Sequence, residues 1–290
     1  MSASAPPPPT RIGSRTFEWG SRTYVMGIVN VTPDSFSGDG LLASVAGRGG
    51  AAVEAAVIQA RRMVEEGADI LDVGAESTRP GHEPVPAAEE TARAIPVIAA
   101  IHAALPRIPI SVDTTKVEVA AAALAAGAVL LNDVWGVARD DTMARLAGER
   151  QVPLIVMHNR AVAQYADFVA ELLADLRAAL DRAQEAGVPR GNLIVDPGFG
   201  FGKTPEHNLE VMRHLRELRE LGFPVLLGTS RKSTLGRVLG GVPPEARLEA
   251  TLATTALAIA GGVDIVRVHD VLANVRAGRM ADAIVRGVAP

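Results

Sequence analysis

Eight short apolar runs, each ending in polar or ionisable residues and followed by a stretch with helical spacing, constrain this chain more than anything else in it. The runs occupy residues 25–31, 69–74, 108–113, 128–133, 152–157, 192–196, 223–229 and 263–268. Stretches rich in Ala, Leu, Glu and Arg lie between them, among them 51–66, 87–104, 167–186, 206–221, 247–260 and 271–286. The runs are nearly continuous rather than alternating, as strands covered on both faces should be. Gly67, Gly127 and Gly262 stand where a helical stretch gives way to the next run, a position that favours a left-handed closing residue. Eight such units with no break in composition predict an α/β fold, a single-domain (β/α)8 TIM barrel. A doubly wound sheet is the alternative, but no dinucleotide fingerprint follows the first run.

Residues 15–19, the Gly20-Ser21 pair and residues 22–24 predict an N-terminal β-hairpin leading into the first strand. Residues 1–14, with Pro6-Pro-Pro-Pro9, read as a disordered Pro-rich tail, which leaves 15–290 as the barrel domain. The chain is 48% hydrophobic but only 3% aromatic, so small aliphatic side chains must fill the core. A net charge of −4 argues against a surface that coats nucleic acid. Without cysteine there is no disulfide, thiolate metal site or cysteine nucleophile. No run reaches the roughly 18–20 apolar residues of a membrane span. The first residues lack the basic and apolar regions of a signal peptide, which predicts a cytoplasmic protein.

In such a barrel, chemistry gathers where the strands end. Those ends carry Asn30, Glu76 to Arg79, Asp113 to Lys116, Asn132-Asp133, Met157 to Arg160, Asp196 to Lys203, Thr229 to Ser233 and Arg267 to Asp270. Asp113, Asn132 and Asp196 offer carboxylates and an amide, which suit a flat heterocycle with several N–H donors and ring acceptors. Alternatively, Asp113 is a helix N-cap. Arg79, Lys232, Arg267 and His269 form a cationic set, and the loops after the last two strands are the usual phosphate site of this fold. The bland reading is a set of surface ion pairs. A helix beginning near Lys232-Ser233 would add free N–H groups for an anion. Asn30 has the oxygen that a Mg2+ ion held mainly by substrate phosphates would need, or it simply forms a turn. The stretch Gly198-Phe-Gly-Phe-Gly-Lys203 fails the P-loop pattern and reads as a sharp turn presenting Phe201, either to an aromatic substrate or into the core. His158 reads as a hydrogen-bonded structural histidine.

Of 29 Lys and Arg residues only Lys116, Lys203 and Lys232 are lysines, each just past a strand. Lys is the cation whose proton affinity its surroundings can tune. Three of them in loops after strands suggest a shared site; the bland reading is that an Arg-rich composition left three lysines in ordinary loops. Taken with the family resemblance that follows, Lys232 is the expected ligand, Lys203 closes the Phe201 turn, and Lys116 supports Asp113.

Several blocks resemble the dihydropteroate synthase family of pterin-binding enzymes. They are Met26-Gly-Ile-Val-Asn30-Val-Thr-Pro-Asp-Ser-Phe36, Asp72-Val-Gly-Ala-Glu-Ser-Thr-Arg-Pro-Gly81, Asp196 to Lys203, Ser230-Arg-Lys-Ser233 and Arg267-Val-His269. The resemblance implies a reaction that joins 6-hydroxymethyl-7,8-dihydropterin pyrophosphate to 4-aminobenzoate with release of pyrophosphate. It implies pterin binding by Asp113, Asn132, Met157, Asp196, Lys232 and Arg267, of which Asp113, Asp196, Lys232 and Arg267 would be catalytic. It further implies Mg2+ on Asn30, and pyrophosphate on Asn30, Arg79, Arg267 and His269. Thr78, Arg79, Pro80, Phe201 and Ser233 would surround 4-aminobenzoate. A homodimer and a role as sulfonamide target belong to the same expectation. In the first loop, Asp39 stands one position away from the family's acidic residue, and Ala161 replaces an expected Gly. The alternatives are a methyltetrahydrofolate-dependent methyltransferase, a non-catalytic pterin-binding paralogue, or a Schiff-base aldolase using Lys232. The cationic set favours the synthase over the first two, and borohydride trapping with a carbonyl substrate would separate it from the third.

Overall fold

Three of the apolar runs start their hydrogen-bonded ladders only after a proline. Pro109, Pro153 and Pro224 have no N–H to donate, yet their carbonyls accept from Leu71, Leu131 and Val195 at 3.0, 3.1 and 2.8 Å. The strands proper are therefore shorter than the apolar runs. A computed structural model describes residues 6–31, 49–76, 85–135 and 140–287. Thr78, Arg79, Pro80 and Asp39, named above, lie outside the described residues.

Two short antiparallel strands come first, β1 (Thr10–Ile12) and β2 (Arg15–Phe17). The barrel strands follow as β3 (Tyr24–Asn30), β4 (Ile70–Gly74), β5 (Ile110–Asp113), β6 (Leu130–Asp133), β7 (Leu154–Met157), β8 (Leu193–Asp196), β9 (Leu226–Leu227) and β10 (Ile265–Val268). Between and after them run α1 (Gly49–Glu65), α2 (Ala87–Ala104), α3 (Val117–Ala125), α4 (Thr142–Arg150), α5 (Phe168–Glu185), α6 (Pro205–Arg213), α7 (Leu215–Arg219), α8 (Ser233–Val238), α9 (Leu248–Ala260) and α10 (Val271–Arg286). The eight strands are all parallel, in the order β8-β7-β6-β5-β4-β3-β10-β9, and a parallel bridge between Val195 and Val225 brings the two edges together. This is the expected (β/α)8 barrel. Among the described residues no helix is long and apolar enough to cross a membrane.

The hairpin is not the one expected. Strand β1 pairs with β2 about Gly13-Ser14, and Gly13 takes φ +60°, a backbone state that glycine adopts without penalty. Order thus begins within the residues 1–14 expected to be a disordered tail, and the 15–290 boundary falls inside the hairpin. The reason is burial. Ile12 and Phe17 are almost wholly enclosed, and the Trp19 indole N–H donates to Thr10 Oγ1, which donates to the Gly191 carbonyl. The stretch 206–221 is also not one helix, since it breaks at His214 into α6 and α7.

Two cores result. One lies between the barrel and its helices and takes the outward residues, such as Val25, Val29, Leu71, Val73, Val112 and Leu131. The other fills the barrel's lower interior with Met26, Ile70, Leu130, Ile155, Ile194, Leu226 and Ile265, and the hairpin's Ile12 and Phe17 seal it with Trp19 and Tyr24. The open end is therefore the one where the strands finish.

Candidate active site

Side chains alternate along a strand, so residues two apart point the same way. Counting up from the lower interior layer, the next inward positions are Asp72 above Ile70, Asn132 above Leu130, Met157 above Ile155, Asp196 above Ile194 and Arg267 above Ile265. Register matching sets Ser111 beside Asp72 and Asp113 beside Asn132. One step thus converts an apolar plug into a polar floor. Asp72, Ser111, Asp113, Asn132, Met157 and Asp196 are all buried.

Arg267 organises this floor. Its Nε donates to Asp72 Oδ2 and its Nη2 to Asp113 Oδ2, both at 2.6 Å, and Asn132 Nδ2 donates to Asp72 Oδ2 at 3.1 Å. Burial works against the guanidinium charge, but Asp72 and Asp113 outweigh it and raise the pKa. Burial pushes the Asp113 carboxyl up to about 7, with Arg267 opposing and Asp72 adding to the rise. Burial also raises Asp196, while Lys232 and the Gly198 N–H, 2.7 Å from Asp196 Oδ1, hold it down.

Among the described residues, three buried side-chain polar atoms have no hydrogen-bond partner: Asp72 Oδ1, Ser111 Oγ and Asp113 Oδ1. All three belong to the neighbouring strands β4 and β5. Unsatisfied buried polar atoms are costly, and here they cluster on one wall of one chamber. Such a wall suits a ligand with several N–H groups. Gly74 keeps it open, because a Cβ there would touch Asp113 Cβ at 3.4 Å.

The opposite wall is the turn 198–203. Phe199 is fully buried, whereas Phe201 is partly exposed, so the core plug and the presented ring are different residues. Lys232 donates to the Phe199 carbonyl and stands 4.6 Å from the Phe201 ring centroid. Burial lowers its pKa to about 8, against the pull of Asp196. On the other side of the turn, Lys203 donates to the Phe201 carbonyl at 3.0 Å. His158 is the structural histidine expected, bonded to Lys203 and Asp175.

At the rim after β9 and β10, Ser230 Oγ meets His269 Nδ1 at 3.0 Å and accepts the His269 backbone N–H at 3.1 Å. Arg231, at φ +59°, turns outward to Asp270 at 2.6 and 3.0 Å, which leaves Lys232 pointing inward. Ser233 opens α8 and is exposed. Asn30 ends β3 and is half-buried. Asp113 is not a helix cap, since α3 starts at Val117 with Lys116 before it. Lys116 does not serve Asp113 directly either. Its ammonium lies between Glu76 and Glu90, the stronger attraction for a cation flanked by two carboxylates.

The family described as "Pterin binding enzyme" matches residues 26–269. A dihydropteroate synthase of Clostridium beijerinckii is 48% identical over 277 residues, covering 95% of this chain and 99% of that protein. The chain belongs to the pterin-binding enzyme family. Relatives within it include dihydropteroate synthases. The Clostridium difficile dihydropteroate synthase, solved in the presence of pteroic acid, has 48% identity and a TM-score of 0.86 over 93% of this chain and 99% of that one. The Xanthomonas albilineans dihydropteroate synthase with 4-aminobenzoic acid has 42% identity and a TM-score of 0.88 over 98% and 100%.

The floor of this pterin-binding enzyme contains two residues to which sequence reasoning assigned no role, Asp72 and Ser111. A signal was present. Each is a polar residue inside an otherwise apolar strand, at the inward parity shared with Asp113. Reading the strands as uninterrupted apolar runs hid it.

Proposed function

We propose that the chain performs the dihydropteroate synthase reaction with the floor residues holding the pterin and the rim holding the pyrophosphate. The cluster of orphaned acceptors on Asp72, Ser111 and Asp113 is the observation that carries this reading. The amino-pyrimidine edge of a pterin brings the N–H groups those atoms lack, and Asn132 and Asp196 flank it. Met157 covers one face, and Lys232 bonds a ring acceptor.

The chemistry needs no covalent enzyme intermediate. The bond between the pterin methylene carbon and the pyrophosphate oxygen breaks, and both electrons leave with pyrophosphate. The ring delocalises the positive charge left on the methylene, and ionised Asp113 and Asp196 stabilise it. The 4-aminobenzoate nitrogen then forms the new carbon–nitrogen bond and gives up a proton to water. Arg267 reaches from the floor toward the phosphates, with His269 at the same rim; the family resemblance assigns Arg79 to the same anion. Phe201 and Ser233 flank the aryl ring and its carboxylate, and the family resemblance assigns Thr78, Arg79 and Pro80 to the same substrate.

Asn30 ends β3 at the rim, half-buried, and offers a hard oxygen donor. That fits Mg2+ bound mainly by substrate phosphates and waters, with the Asn30 oxygen as the protein ligand. When bound, the ion neutralises charge on the leaving group. The reading extends to a cytoplasmic homodimer. Leu257 on α9 and Leu272, Met280 and Ile284 on α10 are exposed apolar residues on adjoining helices, which supports pairing of two copies there.

The test supplies purified protein with the pterin pyrophosphate, with and without 4-aminobenzoate and Mg2+. Dihydropteroate and pyrophosphate should appear in equal amounts only when all are present. Pyrophosphate release that ignores the amine would count against the assignment.

A further inference from the structure

Lys203 is a half-buried cation that the proposed reaction does not use. Its ammonium meets three acceptors: His158 Nδ1 at 2.8 Å, the Phe201 carbonyl at 3.0 Å and the His158 carbonyl at 3.4 Å. An ammonium has three N–H donors, so none remains for a substrate. His158 Nε2 lies 3.0 Å from Asp175 Oδ2, and Arg160 binds that same oxygen through Nε at 2.8 Å and Nη2 at 2.7 Å. The chain of contacts therefore runs from α5 near the surface, through a buried imidazole, to the backbone of the turn that presents Phe201.

The proton placement is consistent along this line. Burial first, then Lys203, lowers His158 to about 4, against the pull of Asp175, so the ring is neutral. A neutral imidazole that gives its Nε2–H to the Asp175 carboxylate keeps a lone pair on Nδ1 for the ammonium. Burial lowers Lys203 to about 7, with Asp196 opposing and Lys232 and Arg160 adding to the fall.

The turn itself has little freedom to find this place unaided. Gly198, Gly200 and Gly202 all take positive φ. A Cβ on Gly198 would lie 1.9 Å from the His158 carbonyl oxygen, and one on Gly202 would lie 2.4 Å from the Arg160 carbonyl oxygen. Tyr165 Oη donates to the Gly202 carbonyl at 2.7 Å. Two ammonium groups thus grip the turn from opposite sides. Lys232 takes the Phe199 carbonyl from the substrate side, and Lys203 takes the Phe201 carbonyl from behind.

We propose that Lys203 is a positioning residue for this reaction: held by the His158–Asp175–Arg160 line, it fixes the Phe201 carbonyl and with it the ring that meets the aryl amine. The inference rests on the reading that Phe201 contacts 4-aminobenzoate. A half-buried cation is a poor way merely to fill space, because an apolar side chain of similar length would fill it without the desolvation cost. What only a lysine supplies here is three donors that tie the Phe201 carbonyl of the turn to the ring and carbonyl of His158.

The test compares Lys203→Met, Phe201→Ala and the double variant in steady state, with pterin binding measured separately by calorimetry. Lys203→Met should raise KM for 4-aminobenzoate about tenfold, the size of one charge-assisted hydrogen bond. Pterin affinity and kcat at saturating amine should move less than about twofold, since neither depends on the Phe201 ring. In the Phe201→Ala background the Lys203→Met effect on the amine should vanish, because the proposed route to the amine runs through that ring. Asp175→Asn, at the exposed end of the line, should raise the same KM by about threefold and decides the matter if Lys203→Met does not fold. An unchanged amine KM, an equal loss for both substrates, or an effect that persists without the Phe201 ring would overturn the proposal. Failure of the unsubstituted protein to make dihydropteroate would instead sink the functional reading.

Discussion

The two ends of this barrel are built from the same strands, two residues apart, by opposite rules. At the lower end Met26, Ile70, Leu130, Ile155, Ile194 and Ile265 close on one another, and the hairpin seals them with aromatic rings. At the upper end Asp72, Ser111, Asp113, Asn132 and Asp196 occupy equally buried positions, and three of their atoms lack partners. Burial stabilises the first layer and costs the second. A protein that retains such a cost in one place is using it, and the lower layer supplies the stability that offsets it.

The largest effect should come from breaking the lower end. Phe17 is 1% exposed, with ring centroids 4.7 Å from Tyr24 and 5.6 Å from Trp19. Phe17→Ala should cost about 3–5 kcal/mol of stability, read by denaturant unfolding. Turnover per folded molecule should stay within about twofold, because the cavity opens away from the strand ends. At the upper end the outcome should invert. Asp113→Asn keeps the shape and an acceptor for Arg267 while removing the anion. Turnover should fall about 10²–10³-fold, while the unfolding midpoint holds or rises. A large stability loss with activity retained would erase the distinction between the layers.

How far the sequence discloses each end follows from the same physics. The eight units, the helix-closing glycines and the rim were legible, because they depend on local periodicity and on where strands finish. Asp113, Asn132 and Asp196 were legible for the same reason, as polar residues at the tips of apolar runs. Asp72 was not, because it stands mid-strand, and its role depends on Arg267, 195 positions away. The hairpin register was not legible either. Both Gly13-Ser14 and Gly20-Ser21 are good turns, and only packing of Ile12 and Phe17 under the barrel selects the first. Position just past a strand does not by itself separate the three lysines. Tertiary contacts separate them into a group facing the pocket, one behind the turn and one bridging Glu76 and Glu90.

A subtler contrast lies in the response to pH. Burial puts the folded pKa of Asp113 near 7, above the ordinary carboxylate value of 3.8. Between those limits the folded protein holds a proton that the unfolded chain has released. Its stability contribution from Asp113 therefore falls as pH rises through that window. Pterin affinity should move the other way, since the ionised carboxylate accepts two N–H groups. It should strengthen by up to about tenfold per pH unit on approaching pH 7 from below, then level off. Calorimetric titration at several pH values checks this, and Asp113→Asn should flatten the profile. A slope that survives in that variant would assign the effect to another group.

The smallest effect tests whether the seal at the lower end matters only for stability. Gly13 sits at φ +60°, and a Cβ added there would lie 3.1 Å from Val129 Cγ2. Gly13→Ala therefore meets two modest penalties, the left-handed backbone and a tight contact with a side chain beneath the barrel. Together they should cost about 1–2 kcal/mol, seen as a lower unfolding midpoint. Neither KM nor kcat should change measurably, because no ligand atom comes near that end. If kinetics shift while the midpoint does not, the hairpin is coupled to the rim through the strands, and the two ends are not the independent layers their chemistry suggests.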